Sequence, residues 1–171
     1  MFIARELTKE DEKQLQCMKK EIEEFDGSFE GLRNIANIEN YDDFLISLER
    51  NKHQELINPD YSPQTTYGFC VDGKLVGGFN LRYVLKGVLF NYGGNIGYLI
   101  RPCERKKGYG TVMLKHALSK AKEIGLDKVL VSCGTDNLGS TKVIENNGGI
   151  YENDYYDEST DKIFKRYWIY L

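Results

Sequence analysis

Residues suited to holding a phosphate group are concentrated in one short segment of the sequence. Three consecutive basic residues, Arg105 to Lys107, precede Gly108 and Gly110, and a helical pattern begins at Tyr109. The first turn of a helix has unpaired backbone N–H groups and the positive end of the helix dipole, and a glycine has no Cβ to keep an anion away. The segment therefore predicts a cradle for a phosphate or pyrophosphate, with a solvated basic turn as the alternative.

Two better-known phosphate-binding loops do not fit this segment. The P-loop pattern G-x-x-x-x-G-K-(S/T) is absent from the chain. The dinucleotide fingerprint needs a third glycine three residues after the second, where this sequence has Met113. Both motifs are therefore excluded.

Strand and helix patterns place the basic segment between a strand and a long helix. The sequence predicts a strand from Asn95 to Arg101 and a helix from Tyr109 to Ile124, with apolar residues at helical spacing and Gly125 as its stop. A β-branched apolar run from Lys128 to Cys133 predicts a strand that is buried on both faces. A short helix is predicted from Asn137 to Asn146.

The remaining patterns complete a mixed order of elements. Two amphipathic helices are predicted near the N-terminus and an antiparallel meander in the middle of the chain. The last strands, Ile150–Tyr151 and Ile163–Leu171, are predicted on either side of an acidic stretch, Asn153–Asp161. The order β-α-α-β-β-β-α-β-α-β-β predicts an α/β fold with helices on a largely antiparallel sheet, and the length predicts one domain, residues 1–171.

Composition and charge narrow the classes of function. The chain of 171 residues has a net charge of −3, which disfavours a nucleic-acid-binding protein because such proteins need clustered cations. The four cysteines are widely spaced and the two histidines do not complete a zinc site, so free thiols and no metal are expected. No apolar run reaches bilayer length and no signal core is present, so we expect a cytoplasmic protein without a membrane partner.

The basic loop and the short helix after it resemble the GNAT superfamily of N-acetyltransferases. The family hallmark (Q/R)-x-x-G-x-(G/A) is matched by the segment from Arg105 to Gly110. A second family motif, N-x-x-(S/A) followed by an apolar stretch and a Glu-Lys-x-Gly-Phe ending, is matched in part between residues 137 and 149. The matching residues there are Asn137, Ser140, Glu145 and Gly148, whereas Asn146 and Gly149 depart from the family's Lys and Phe.

The resemblance implies an acyl-CoA N-acyltransferase fold and acetyl-CoA as the cofactor. In the family, the largely antiparallel central sheet has a splayed parallel pair of strands, and the pantetheine arm pairs with the opened strand edge. The pyrophosphate binds at the loop and the helix start. The cofactor-binding residues implied in this sequence are Tyr98, Leu99, Ile100, Arg105, Lys106, Lys107, Gly108, Tyr109, Gly110, Thr111, Asn137, Ser140 and Lys142.

The implied reaction is direct transfer of acetyl from the thioester to an amine. The amine must lose a proton, the oxyanion must be held and the thiolate must be protonated. A backbone N–H near Leu99 or Ile100 is the expected oxyanion donor, and Asn137 is expected near the thiol. Many relatives have a tyrosine acid where this chain has Ile144, so Tyr151 is the candidate acid and solvent the alternative.

The predicted function is therefore an acetyl-CoA-dependent N-acetyltransferase, with a small-molecule amine favoured over a protein amine as acceptor. An acyl-CoA-binding sensor that has lost transfer is the alternative, because Ile144 replaces the usual tyrosine. Cys133 is predicted to be a buried strand residue rather than a nucleophile. The acidic stretch Asn153–Asp161 is interpreted as a solvated turn or as an attractor for a cationic acceptor, and the protein as a monomer or homodimer.

Overall fold

The order of strands and helices follows the hydrophobic patterns of the sequence. The computed structural model describes residues 1–171 and has the predicted order of seven strands and four α-helices. The elements are β1 (Phe2–Glu6), α1 (Glu12–Phe25), α2 (Tyr41–Arg50), β2 (Gln64–Val71), β3 (Lys74–Arg82), β4 (Ile96–Ile100), α3 (Tyr109–Glu123), β5 (Lys128–Gly134), α4 (Leu138–Glu145), β6 (Ile150–Asp157) and β7 (Lys162–Tyr170).

Local capping and apolar spacing explain where the helices begin and which face they bury. The side chain of Asn40 accepts a hydrogen bond from the backbone N–H of Asp43 and caps α2. In α1, Leu15, Met18 and Ile22 are fully buried at a three-to-four-residue spacing. Each helix therefore presents one apolar face to the sheets.

The strands form two antiparallel sheets rather than one. The first has the order β1-β2-β3-β4 and the second the order β5-β7-β6, and no hydrogen-bonded ladder joins β4 to β5. The two strands are hydrogen bonded only at Asn95, the residue before β4, whose backbone N–H donates to the carbonyl of Leu130 at 2.7 Å and whose Oδ1 accepts from the N–H of Leu130 at 2.8 Å. The strands therefore diverge beyond Asn95, which confirms the predicted splay.

Two apolar clusters cover the opposite faces of the first sheet. One cluster contains Leu15 and Ile22 of α1 with Leu75 and Leu99 of the sheet. The other contains residues of α3 and α4 with side chains from both sheets, namely Phe69, Val76, Phe79, Leu81, Ile96, Met113, Leu114, Ala117, Ala121, Val129, Val131, Cys133, Ile144, Tyr167 and Ile169. This shared core holds the two sheets together although their facing edges are not paired.

The prediction for the end of the chain is wrong at one point. The acidic stretch that was expected to separate the last strands belongs largely to β6, which runs from Ile150 to Asp157 and pairs with β7. Most side chains of β6 are exposed, as at the edge of a sheet. The strand therefore lacks the apolar alternation by which a strand is recognised in a sequence. No helix in the chain is long and apolar enough to cross a membrane.

Candidate active site

The loop before α3 presents a series of backbone N–H groups without protein partners. Lys106 and Gly108 have φ angles of +63° and +80°, which turn the chain sharply into the helix. The N–H groups of residues 106–110 donate to no protein acceptor, whereas those of Arg105 and Thr111 are bonded to Pro102 and Gly108. These free donors at the positive end of α3 fit the pyrophosphate of a CoA-type ligand.

The two glycines of the loop have different surroundings. A Cβ added at Gly108 would meet no atom within 4 Å, so this glycine leaves open space in front of the loop. A Cβ at Gly110 would lie 3.1 Å from Cγ2 of Val143. Gly110 therefore allows α3 and α4 to pack closely, whereas Gly108 satisfies the positive φ and keeps the approach to the backbone free.

Two of the three basic side chains in the loop are already engaged by the protein. Arg105 donates from Nε to the carbonyl of Ile100 at 3.1 Å and from Nη1 to Asp26 at 3.2 Å. Lys107 forms a 2.8 Å ion pair with the buried carboxylate of Glu104. Lys106 has no side-chain partner, and Lys142 on α4 is likewise exposed and unpaired. The backbone N–H groups are therefore the main anion donors of the cradle.

The register of β4 determines which backbone groups face the gap between the sheets. Arg101 donates its N–H to Val76 and Asn95 accepts from the N–H of Arg82, so odd-numbered residues of β4 bond to β3. The N–H of Leu99 is therefore directed at β3 and not at the gap. Of the two positions expected for the oxyanion donor, Leu99 and Ile100, only Ile100 has its N–H on the open edge, where the N–H of Tyr98 also lies.

A cleft of about 300 Å³ lies between the diverging strands and the loop that follows α1. Among the predicted residues it is lined by Tyr98, Asn137 and Ser140. The side chain of Asn137 accepts from the N–H of Ser140 at 2.9 Å and caps α4, so its contacts fix the start of this helix beside the cleft. Residues from distant parts of the chain complete the lining, among them Glu30, Arg33, Asn34, Asn80, Arg82, Tyr92 and Phe164.

Tyr98 contributes its side chain as well as its backbone. Its hydroxyl lies 3.5 Å from the carbonyl oxygen of Ser140, so the side chain reaches from β4 to the start of α4. Burial raises the pKa of Tyr98 well above its ordinary value of 10, and the hydroxyl remains protonated at neutral pH. The sequence motif implied only a backbone role for this residue, because no family signature marks a side-chain role at this strand position.

Tyr151, the candidate acid, and Ile144, at the position of the family's tyrosine, both lie away from the cleft. Tyr151 is on β6, about half exposed, and its hydroxyl donates to Asp154 at 3.0 Å. It pairs with Tyr167 of β7, so two strands separate it from the gap. Ile144 of α4 is fully buried in the core that α3 shares with the two sheets. The structure therefore does not bring Tyr151 together with the residues that line the cleft.

Cys133 lies at the cleft wall but its thiol is turned into the protein. Its Sγ is 3.6 Å from Oγ1 of Thr141, and the residue is buried. Burial raises the pKa of the Cys133 thiol, which keeps it in the neutral, weakly nucleophilic form. The expectation of a buried strand residue is confirmed.

Solved structures with the same fold include several acetyltransferases of low sequence identity. A GNAT-family acetyltransferase from Streptococcus pneumoniae has a TM-score of 0.69 and 16% identity, with 100% of both chains covered. RimL, a ribosomal-protein α-N-acetyltransferase solved with coenzyme A, has a TM-score of 0.72 and 13% identity over 99% of this chain and 94% of its own. A putative acetyltransferase from Salmonella typhimurium, solved with acetyl-CoA, has a TM-score of 0.66 and 12% identity over 99% and 94% of the two chains.

One protein-family model matches most of the chain. A comparison with curated proteins finds no match. The family model of the acetyltransferase (GNAT) domain matches residues 2–150, which include the cradle, the open edge of β4 and all of α4. The chain therefore belongs to the GNAT family of acetyltransferases, as its two sequence motifs predicted.

Proposed function

We propose that this acetyltransferase transfers the acetyl group of acetyl-CoA directly to the amine of a small molecule in the cleft between β4 and β5. The observation that carries the proposal is the continuity of free donors along one strand–loop–helix segment. The N–H groups of Tyr98 and Ile100 face the gap, and those of residues 106–110 follow at the start of α3. Structural neighbours solved with coenzyme A or acetyl-CoA support this choice of ligand.

The binding roles follow from these donors. The N–H groups of residues 106–110 hold the pyrophosphate. Of the N–H groups of Tyr98 and Ile100, one pairs with an amide of the pantetheine arm in the manner of an added strand, and the other is left for the acetyl oxygen. Lys106 and Lys142, which have no protein partners, are available to further phosphate oxygens. Bound acetyl-CoA supplies an acetyl group activated as a thioester.

The chemical roles depend on groups that face the gap. The N–H of Tyr98 or Ile100 stabilises negative charge on the acetyl oxygen. The Tyr98 hydroxyl, protonated at neutral pH, donates a hydrogen bond towards the departing sulfur, and the thiolate then takes its proton from solvent. The buried neutral thiol of Cys133 favours direct transfer over a covalent acetyl-cysteine.

Two properties of the cleft bear on the acceptor. Its volume of about 300 Å³ suits a small molecule. Its only carboxylate is Glu30, which is held in a 2.8 Å ion pair with Lys162. The amine therefore reacts in its deprotonated form after losing its proton to solvent.

Calorimetry with acetyl-CoA and CoA, followed by thiol release over a panel of amines, tests the proposal. We expect binding of both ligands and turnover of at least one amine. Absence of binding at millimolar acetyl-CoA would overturn it. Tight binding without turnover on any amine would favour the sensor alternative, which rests on the buried Ile144 at the usual tyrosine position.

Replacing Tyr98 by Phe tests the role of its hydroxyl. We expect kcat to fall by about 10²-fold while the affinity for acetyl-CoA stays the same, because the ring and the backbone N–H remain. Tyr151→Phe is the matched control and should leave kcat unchanged, since its hydroxyl bonds only to Asp154. Equal rates for Tyr98→Phe and the wild type would remove Tyr98 from the mechanism.

A further inference from the structure

We propose that the acceptor amine carries an anionic group, a carboxylate or a phosphate, which Arg82 and Arg33 bind in the cleft. This inference rests on the proposed function, because it names the class of amine that the transferase accepts. It comes from two arginines that face the cleft without an acidic partner.

Arg82 is held in place by main-chain groups and has unused donors. Its Nη1 donates to the carbonyls of Gly93 and Gly94 at 3.2 and 3.0 Å. Its Nε and Nη2 have no protein partner, no carboxylate lies within ion-pair distance, and the residue lines the cleft. A guanidinium that the backbone orients and no acid neutralises offers the remaining donors to an anion.

Arg33 adds a second positive charge on the same cleft. It is exposed, lines the cleft and makes no side-chain hydrogen bond or ion pair. Burial, together with the nearby charge of Arg33, lowers the pKa of Arg82 to about 10. Two cations that repel each other in a partly desolvated cleft favour the binding of an anion between them.

The remaining charges around the cleft do not cancel these two. Glu30 is the only carboxylate in the lining, and Lys162 already pairs with it at 2.8 Å. Asp157 lies behind Tyr92 and is engaged by the hydroxyls of Ser159 and Thr160. The charge balance within the cleft is therefore positive.

The location of Arg82 is compatible with one ligand reaching both the arginines and the transfer site. Arg82 donates its N–H to Asn95, and Tyr98 lies three residues further along β4, or about 10 Å at the rise of a strand. The guanidinium bonds to Gly93 and Gly94, so it lies on the other side of Asn95 from Tyr98, and the acceptor has to span about this distance. The stacked rings of Tyr92 and Phe164, 4.5 Å apart, flank the space between.

The acidic stretch at the end of the chain does not offer the opposite kind of site. Asp154 accepts from Tyr151, and Asp161 accepts from Tyr156. Neither residue lines the cleft between β4 and β5, although Asp161 lies with Asp136 and Lys162 in an adjoining pocket that shares Glu30 and Asn137 with it. A polyamine would therefore meet two arginines in the cleft rather than a carboxylate cluster.

Matched pairs of amines test the proposal through turnover. The acceptors are 4-aminobutyrate against butylamine, phosphoethanolamine against ethanolamine, and spermidine as the cationic case. With saturating acetyl-CoA, we expect kcat/KM for the better anionic amine to exceed that of its neutral partner by at least about tenfold. The two pairs distinguish a carboxylate from a phosphate.

Variants assign the preference to the arginines. Arg33→Gln should reduce the anionic preference by at least about fivefold, and Arg50→Gln, which removes an exposed arginine from the end of α2, should not change it. Arg82→Lys retains the positive charge but loses the planar fork of N–H donors. It should reduce the preference for the anionic amine more than Arg33→Gln does. The Arg33 side chain has no hydrogen bond or ion pair to lose, so its variant is expected to fold even if an Arg82 variant does not.

A binding measurement covers the case in which none of these amines is turned over. Benzoate, phenyl phosphate and benzamide are titrated into the protein with and without CoA, and we expect one of the two anions to bind at least about tenfold more tightly than benzamide in the wild type but not in Arg33→Gln. Equal binding of all three, or an unchanged preference in Arg33→Gln, would overturn the inference. Transfer that prefers butylamine, ethanolamine or spermidine would overturn it while leaving the acetyltransferase function intact, whereas absence of acetyl-CoA binding would overturn the proposed function.

Discussion

Single residues at the start of α3 show how one residue type serves two physical purposes. Gly110 is required by the contact between α3 and α4, because a Cβ there would press on Val143. Gly108 is required by its φ of +80° and faces open space. Only Gly108 therefore affects the approach of a ligand directly.

Replacing Gly108 by Asn separates ligand access from backbone strain. Asn tolerates a positive φ, so the fold should persist, while its side chain enters the space in front of the free N–H groups. We expect the affinity for acetyl-CoA, measured by calorimetry, to fall at least about tenfold. Gly125→Asn, at a φ of +84° beyond the other end of α3, is the control and should retain full affinity. Equal affinities of the two variants would place the phosphates elsewhere.

At the scale of elements, the loop between β4 and α3 is held by ion pairs from other parts of the fold. Glu21 of α1 accepts from Arg101 at 2.5 Å and from the N–H of Cys103 at 2.6 Å. Glu104 pairs with Lys107 at 2.8 Å and with Lys74 of β3 at 2.5 Å. From its charge alone, Glu21 looks like an ordinary acidic residue on a helix surface. In the structure it fixes the loop that carries the cradle.

The pairing of Glu104 predicts how stability depends on pH. Hydrogen bonds from Lys107 and Lys74 lower the pKa of Glu104 from its ordinary value of 4.5 to about 2. A lowered pKa in the folded state stabilises the protein fully above pH 4.5, and this stabilisation is lost as the pH falls from 4.5 towards 2. Glu104→Gln should therefore reduce the free energy of unfolding by about 1–2 kcal/mol at pH 7 and by less at pH 3.

Urea denaturation at the two pH values measures this difference. Glu123→Gln is the control, because its partner Lys120 forms a pair on the surface of α3. Its effect should stay within about 0.5 kcal/mol at both pH values. A Glu104→Gln effect that is the same at pH 7 and pH 3 would contradict the assigned ion pairs.

At the scale of the whole molecule, the cleft exists because the two sheets are joined at one point and separate beyond it. Asn95 provides that point through its bonds to Leu130, and its Nδ2 also donates to the carbonyl of Arg82. A Cβ at Gly94 would lie 2.4 Å from the Leu130 carbonyl oxygen, so the sheets approach as closely as a glycine allows. The gap beyond is the space in which the ligand and the acceptor are expected to meet.

Replacing Asn95 by Ala tests this junction. The N–H of Leu130 would lose its acceptor in a buried setting, so we expect the free energy of unfolding to fall by about 2 kcal/mol in urea denaturation. Asn37→Ala, at an exposed position without side-chain bonds, should change it by less than about 0.5 kcal/mol. A wild-type unfolding midpoint for Asn95→Ala would show that the junction does not depend on this side chain.

The sequence by itself determined the order of elements, the family and the position of the cradle. These features depend on local patterns: apolar spacing for α1 and α3, and contiguous motifs for the loop at Gly108 and the cap at Asn137. The edge strand β6 was predicted too short, because an exposed strand has no alternation to reveal it. Such features can be predicted because the residues that form them are close together in the sequence.

Tertiary structure alone decided which side chains meet in the cleft. The direction of the N–H groups of Tyr98 and Leu99 depends on the register with β3, and the separation of Tyr151 from the gap depends on the order of strands in the second sheet. Arg33 and Arg82 are 49 positions apart in the chain and face one cleft only because the loop after α1 crosses the sheet. No local pattern encodes such a meeting, since it results from the packing of elements whose contacts are distant in sequence.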